Sequence, residues 1–258
     1  MKMARQLAFR LVAAAAAVCA ASLLGGCATT VGQPNPQDPW EGMNRHTHAF
    51  NEALDDAVMK PVATVYRDHV PPLVRTGVSN FFGNIGDAWS AVNALLQFHL
   101  QDAEENLVRF QLNSTLGLLG VFDPASDANI ERHREDFGQT LGRWGIGPGP
   151  YLVLPFLGPS TVRDTAALPV DWHFDIVTDF RPIAVRNSTD ALRLVDTRAN
   201  LLRVTSVLDE AALDKYAFVR DAYLQRRRAD ILNHEPGAPD GSGGDGQIPP
   251  EPQDEPPR

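Results

Sequence analysis

Hydrophobic side chains recur along most of this chain at the three-to-four-residue spacing of helices. Asp38-Pro39-Trp40-Glu41 reads as a helix start, with Asp38 as N-cap, Pro39 in the first turn and Glu41 as a capping-box acid. At about 100° per residue, Trp40, Met43, Thr47, Phe50, Leu54, Ala57 and Val58 then share one face. Asn44, Arg45, His48, Asn51, Glu52, Asp55 and Asp56 cover the other, with Asn51 near the boundary. Pro61 is expected to break or kink the chain, because it lacks an N–H and crowds the preceding turn. Pro71-Pro72 opens a further helix carrying Leu73, Val78 and Phe81. Gly83-Asn84 and Gly86 predict a short break before the apolar stripe of Ala88, Trp89, Val92, Leu95 and Leu96. Asp102-Ala103-Glu104-Glu105 reads as a second capping box. In the helix after it, Leu107, Val108, Phe110, Leu112, Leu116, Leu118 and Leu119 go all the way round, so it is either enclosed by protein or faces lipid.

Residues 136–160 change character: six glycines and four prolines alternate with Trp144, Tyr151, Leu152-Val153-Leu154 and Phe156-Leu157. A loop with so many large apolar side chains needs a cover. Two long helices follow, over about 188–208 and 210–232. Strand-like alternation is confined to Tyr151 to Leu154, so the fold is expected to be mainly α.

The chain's beginning sets its compartment. Lys2, Arg5 and Arg10 precede a short apolar run, Leu11 to Leu24, that is too short to span a bilayer and reads as a signal segment. It ends Leu24-Gly25-Gly26-Cys27, which resembles the bacterial lipobox. Residues 1–26 are therefore expected to be removed, and Cys27 to receive lipid. The only other cysteine, Cys19, lies in the removed part, so the mature chain has no free thiol and no possible internal disulfide. More than one acyl chain on Cys27 makes a stable anchor, since each buried methylene contributes about 0.8 kcal/mol. Ala28 rather than Asp after the cysteine favours the outer membrane by the lipoprotein sorting rule. Residues 27–37 read as a lipidated tether, 38–234 as one helical domain, and 235–258 as a disordered acidic tail with seven prolines, five glycines and six acids.

Net charge is −9, and removing the three leader cations takes the remainder to −12, which argues against nucleic-acid binding. No metalloprotease, nucleophile-elbow or phosphate-loop motif occurs. His46 and His48 cannot chelate jointly from one helix. His69, His99, His133 and His173 lack patterned carboxylate neighbours, and Asp171-Trp172-His173-Phe174-Asp175 reads as an amphipathic turn anchored by tryptophan. Asp123, Asp127 and Asp164 are available for acid–base work, but nothing local suggests raised pKa values, and Asp123-Pro124 is the pattern of a turn. The Arg226-Arg227-Arg228 run either complements a helix dipole or contacts lipid phosphate or an acidic partner. No catalytic residue, cofactor or metal is expected.

Several strings together resemble the MlaA/VacJ lipoprotein family. They begin with Asp38-Pro39-Trp40-Glu41-Gly42-Met43-Asn44-Arg45, Pro61-Val62-Ala63, Tyr66-Arg67-Asp68 and Val70-Pro71. Ser79-Asn80-Phe81-Phe82-Gly83-Asn84, Arg109-Phe110 and Leu112-Asn113-Ser114-Thr115-Leu116-Gly117 continue the likeness. Asp136 to Gly142, Tyr151 to Phe156, Thr161 to Asp164 and Thr197-Arg198-Ala199 complete it over about 38–230. The resemblance implies a ring-like bundle of amphipathic helices lying in the membrane plane around a central channel. It implies an outer-membrane lipoprotein that takes phospholipid strayed to the outer leaflet and passes it to a soluble periplasmic carrier, with a trimeric porin as membrane partner. By position in the first helix, Phe50 and Asn51 are expected near the channel. Two rival readings are a lipid-anchored hydrolase, such as a phospholipase, and a structural or virulence-associated anchor.

Overall fold

In a computed structural model, which describes residues 35–232, the chain is mainly helical. Cys27, the start of the tether and the 235–258 tail lie outside the described residues. Helix α1 spans Glu41–Leu54, α2 Lys60–His69, α3 Pro72–Leu96 and α4 Leu100–Thr115. A short α5, Pro124–Asp127, and α6, Phe137–Arg143, lead to the strands β1, Tyr151–Leu154, and β2, Gly158–Thr161. Helices α7, Val162–His173, α8, Ile183–Ala211, and α9, Lys215–Leu232, close the fold.

Local sequence explains several departures from the expected element limits. Helix α1 is capped by Trp40 without a side-chain bond. Asp38 instead points inward, 1% exposed, accepting hydrogen bonds from Asn44 Nδ2 (2.8 Å), the Tyr216 hydroxyl and Arg220. Pro61 does not break the chain. One wide π turn, Asp55–Met59, joins α1 to α2, and that widening relieves the clash a proline ring makes with the preceding turn. Nor do Gly83 and Gly86 interrupt α3, which runs for 25 residues. Gly83 leaves room for the Arg132 guanidinium, which would lie 2.7 Å from an added Cβ. Helix α4 starts at Leu100, ahead of the expected Asp102 cap. A second strand, absent from the expected pattern because of its Gly-Pro start, pairs antiparallel with β1 from Tyr151 opposite Thr161 to Leu154 opposite Gly158.

Polar and charged side chains take an unusually large share of the interior. The largest fully enclosed side chains include Arg109, Asn44, Asn93, Asn106, Asn113, Asp38 and Asp87. Seven alanines, Ala63, Ala91, Ala94, Ala103, Ala125, Ala167 and Ala199, are buried beside the larger Ile85, Tyr151, Val153, Val177, Leu202 and Tyr216. Meanwhile Leu73, Phe98, Leu116, Phe156 and many others stand outward, Leu73 at 87% exposure. On α1 the apolar face carries Trp40, Met43, Phe50 and, past Leu54, Val58 to the outside, while Asn44 is wholly enclosed. Helix α4 resolves in the same way: Ala103, Asn106, Arg109 and Asn113 form its inner stripe and Leu107 its outer side. Among the described residues, no helix is long and apolar enough to cross a membrane.

Candidate functional site

Two asparagines on α1 organise the hairpin. Asn44 donates to the Tyr151 carbonyl (3.1 Å) and accepts from the Val153 N–H (2.9 Å). Asn51 donates to the Leu154 carbonyl (2.9 Å) and accepts from the Phe156 N–H (2.8 Å). Seven helical residues rise about 10 Å, and three strand residues advance about 10 Å, so the two amides meet the β1 edge in register. Phe50 packs edge-to-face on Phe156, with ring centres 5.5 Å apart. Neither Phe50 nor Asn51 is among the side chains lining the two cavities described below; their contacts are with the hairpin turn.

An irregular strap, residues 130–136, crosses the inner faces of α3 and α4. It has no strand partner, so side chains satisfy its backbone. Asn106 donates to the His133 carbonyl (2.7 Å) and accepts from the His133 N–H (3.1 Å). The Ser90 hydroxyl accepts from the Glu135 N–H (3.1 Å), Gln97 donates to the Glu135 carboxylate (2.8 Å), and Arg109 donates to the Ile130 carbonyl. Below it lies a buried charge cluster: Arg109 pairs with Asp123 at 2.8 Å, and Arg132 with Asp87 at 2.8 Å. Burial pushes the Asp87 carboxyl up despite Arg132 and Arg109. Burial also raises Asp123, but hydrogen bonds from Ser126 and Asn113 and the charge of Arg109 outweigh it and leave that carboxyl lowered. Asp123 is also the N-cap of α5, as its Pro124 neighbour predicts.

The strap separates two cavities. One, of about 1110 Å³, is walled by polar side chains of the strap and by Arg226, Arg227 and Asp230 of α9. The other, of about 810 Å³, sets Phe82, Trp89, Leu168, Trp172 and Leu201 against Ser79, Asp87, Asp196 and Asn200. Arg132, Arg134, Glu135 and Asp136 line both. Trp89 stacks on Phe174 at 4.7 Å and donates to Asp171 (2.8 Å), whose carboxyl burial pushes up. Asp175, at the other end of that motif, pairs with Arg193.

The residues singled out for chemistry take structural partners. Arg227 turns into the fold, toward carboxylates of its own chain. It joins Asp136 (2.7 Å) and Asp164 (3.0 Å), the latter also held by Arg163 and the Tyr223 hydroxyl. Burial would raise the Asp164 carboxyl, but Arg227, Arg163 and Tyr223 bring it to about 2. His133 and His99, read as lacking patterned carboxylate neighbours, sit 2.8 Å from Glu105 and 3.8 Å from Asp102, respectively. No group of three or more metal-ligating side chains occurs among the described residues. The interior cluster escaped the sequence reading, although its signal is present: Asn106, Arg109 and Asn113 recur at helical spacing within an otherwise leucine-rich helix.

Many large apolar side chains at the surface, a hydrogen-bonded polar interior and a polar cavity beside an aromatic-walled one define a protein built to handle amphiphiles next to lipid. The MlaA lipoprotein family model matches residues 36–230, and the chain belongs to that family. It is 39% identical over 211 residues to the intermembrane phospholipid transport system lipoprotein MlaA of Escherichia coli K12, covering 80% of this chain and 83% of that protein. The protein of the same name from Haemophilus influenzae is 30% identical, covering 81% of this chain and 86% of that one. A solved structure concerned with the structural basis for maintenance of bacterial outer membrane lipid asymmetry superimposes with a TM-score of 0.67 at 35% identity, covering 75% of this chain and 98% of its own.

Proposed function

We propose that this protein is an outer-membrane lipoprotein, anchored through Cys27, that removes phospholipid misplaced in the outer leaflet and delivers it to a soluble periplasmic carrier. Its helices form a ring in the membrane plane, beside a trimeric porin, and the two cavities belong to the passage through that ring. Phe50 and Asn51 act on the passage through the hairpin turn they brace. The observation that carries this reading is the inverted polarity: large apolar side chains outside, amides and ion pairs inside. A head group crossing hydrocarbon loses its hydration, at several kcal/mol per unpaired polar group. A passage with one polar and one apolar wall lowers that barrier without covalent chemistry. A hydrolase reading has less support, because Asp123 and Asp164 are held ionised by arginines and donors, and Asp87 and Asp171, whose carboxyls burial raises, are taken up by Arg132 and by Trp89 and the Phe137 N–H.

The test is complementation of a Gram-negative host lacking its own family member, with outer-leaflet phospholipid measured by its accessibility to added phospholipase. The wild-type chain should return that lipid to the parental level, and Cys27→Ala should mislocalise and fail. A wild-type chain that leaves outer-leaflet phospholipid high overturns transport; Cys27→Ala protein that fractionates fully with outer membranes overturns the anchor.

A further inference from the structure

Six arginines line the two cavities. Five of them face carboxylates: Arg109 with Asp123, Arg132 with Asp87, Arg193 with Asp175, Arg227 with Asp136, and Arg226 with Asp230 at 3.9 Å. Arg134 is the exception. It has no hydrogen bond or ion pair among the described residues, and it is exposed. It is also one of the four residues common to both cavities. The backbone on either side is pinned, at His133 by Asn106 and at Glu135 by Ser90. Arg134 is thus offered from a fixed piece of chain, the kind of support that makes a binding group effective.

Resting on the transport reading, we infer that Arg134 binds the phosphodiester of a phospholipid in transit, with the head group in the polar cavity and acyl chains toward Trp89 and Trp172. A guanidinium presents a planar fork that matches phosphate oxygens bidentately. The paired arginines would first have to give up a carboxylate; Arg134 has none to release. Glu131 also lines the polar cavity but not the aromatic one, so the phosphate is placed where the two cavities adjoin. Each cavity is at or above the upper part of the roughly 300–1,000 Å³ of small-ligand pockets, as a two-part amphiphile requires.

The test uses the full lipidated protein in detergent and quenching of its tryptophans by phosphatidylglycerol brominated in the acyl chains. Diacylglycerol with the same brominated chains supplies the phosphate-free arm. Arg134→Gln should weaken phosphatidylglycerol about tenfold, the loss of one charged hydrogen-bonding partner, and leave diacylglycerol unchanged. Arg134→Lys should recover part of the loss, and Arg203→Ala, exposed and outside both cavities, should match wild type. Equal phosphatidylglycerol binding by wild type and Arg134→Gln overturns the assignment, as does an equal loss of both lipids. Displacement of the lipid by inorganic phosphate at matched concentration would make this a free-phosphate site and overturn the lipid assignment. Absence of quenching by either lipid in wild type would instead overturn the passage itself.

Discussion

At the residue scale, the molecule depends on amides that act as both donor and acceptor. Asn44 makes three bonds from a fully enclosed position, to Asp38, Tyr151 and Val153. Asn44→Leu keeps the branched shape and removes all three bonds, leaving the Tyr151 carbonyl and the Val153 N–H without this partner while Asp38 keeps Tyr216 and Arg220, so stability in detergent should fall by about 2–4 kcal/mol, read from the denaturation midpoint; a change below about 0.5 kcal/mol would refute the clamp. Asp164 carries part of the acid sensitivity. Its folded pKa, about 2, lies below the unfolded carboxylate value near ~3.9. The ionised form is the one stabilised by folding, so this contribution is complete above about pH 4 and drains away as pH falls toward about 2. Asp164→Asn should remove that part of the acid dependence in a pH-jump unfolding series while lowering stability at pH 7, since Arg227 and Arg163 lose a charged partner. An unaltered acid profile would show that Asp164 does not carry it.

At the element scale, glycines mark close approach rather than breaks. A Cβ on Gly117 would fall 2.4 Å from the Phe122 carbonyl oxygen and 2.5 Å from that of Asn113, both backbone, whereas a Cβ on Gly86 meets open space within α3. Gly117→Ala should therefore cost at least about 1 kcal/mol, and Gly86→Ala should stabilise by about 0.5–1 kcal/mol; thermal midpoints of the two variants should move in opposite directions. This contrast also shows what the sequence made legible. Helical periodicity found both α8 and α9, with each start missed by five residues, and the leucines around α4 allowed lipid as one of two neighbours. Periodicity cannot say which face looks inward, and local propensity read Gly83 as a break and Pro61 as a break or kink. Their roles come from the Arg132 side chain some fifty residues away and from a widened turn that no local pattern announces. The strap was illegible for the same reason: its partners are side chains on other helices.

At the scale of the whole molecule, exposed leucines belong to the surroundings more than to the fold. Leu118→Ser with Leu119→Ser should leave the denaturation midpoint nearly unchanged, because both side chains are largely exposed. It should weaken sedimentation of the protein with phospholipid vesicles, since each buried leucine contributes roughly 1.5–3 kcal/mol. Unchanged vesicle binding would mean that this edge does not meet lipid. The hairpin edge carries a last consequence. A neighbouring strand would serve Tyr151 to Phe156 with its main chain, which every amino acid possesses, and so would tolerate almost any replacement. Here two carboxamides, a double helical turn apart, stand in for that strand. Recognition of the edge is thereby written in side-chain identity, and a single carboxylate at position 44 or 51, able only to accept, would leave one carbonyl without its donor.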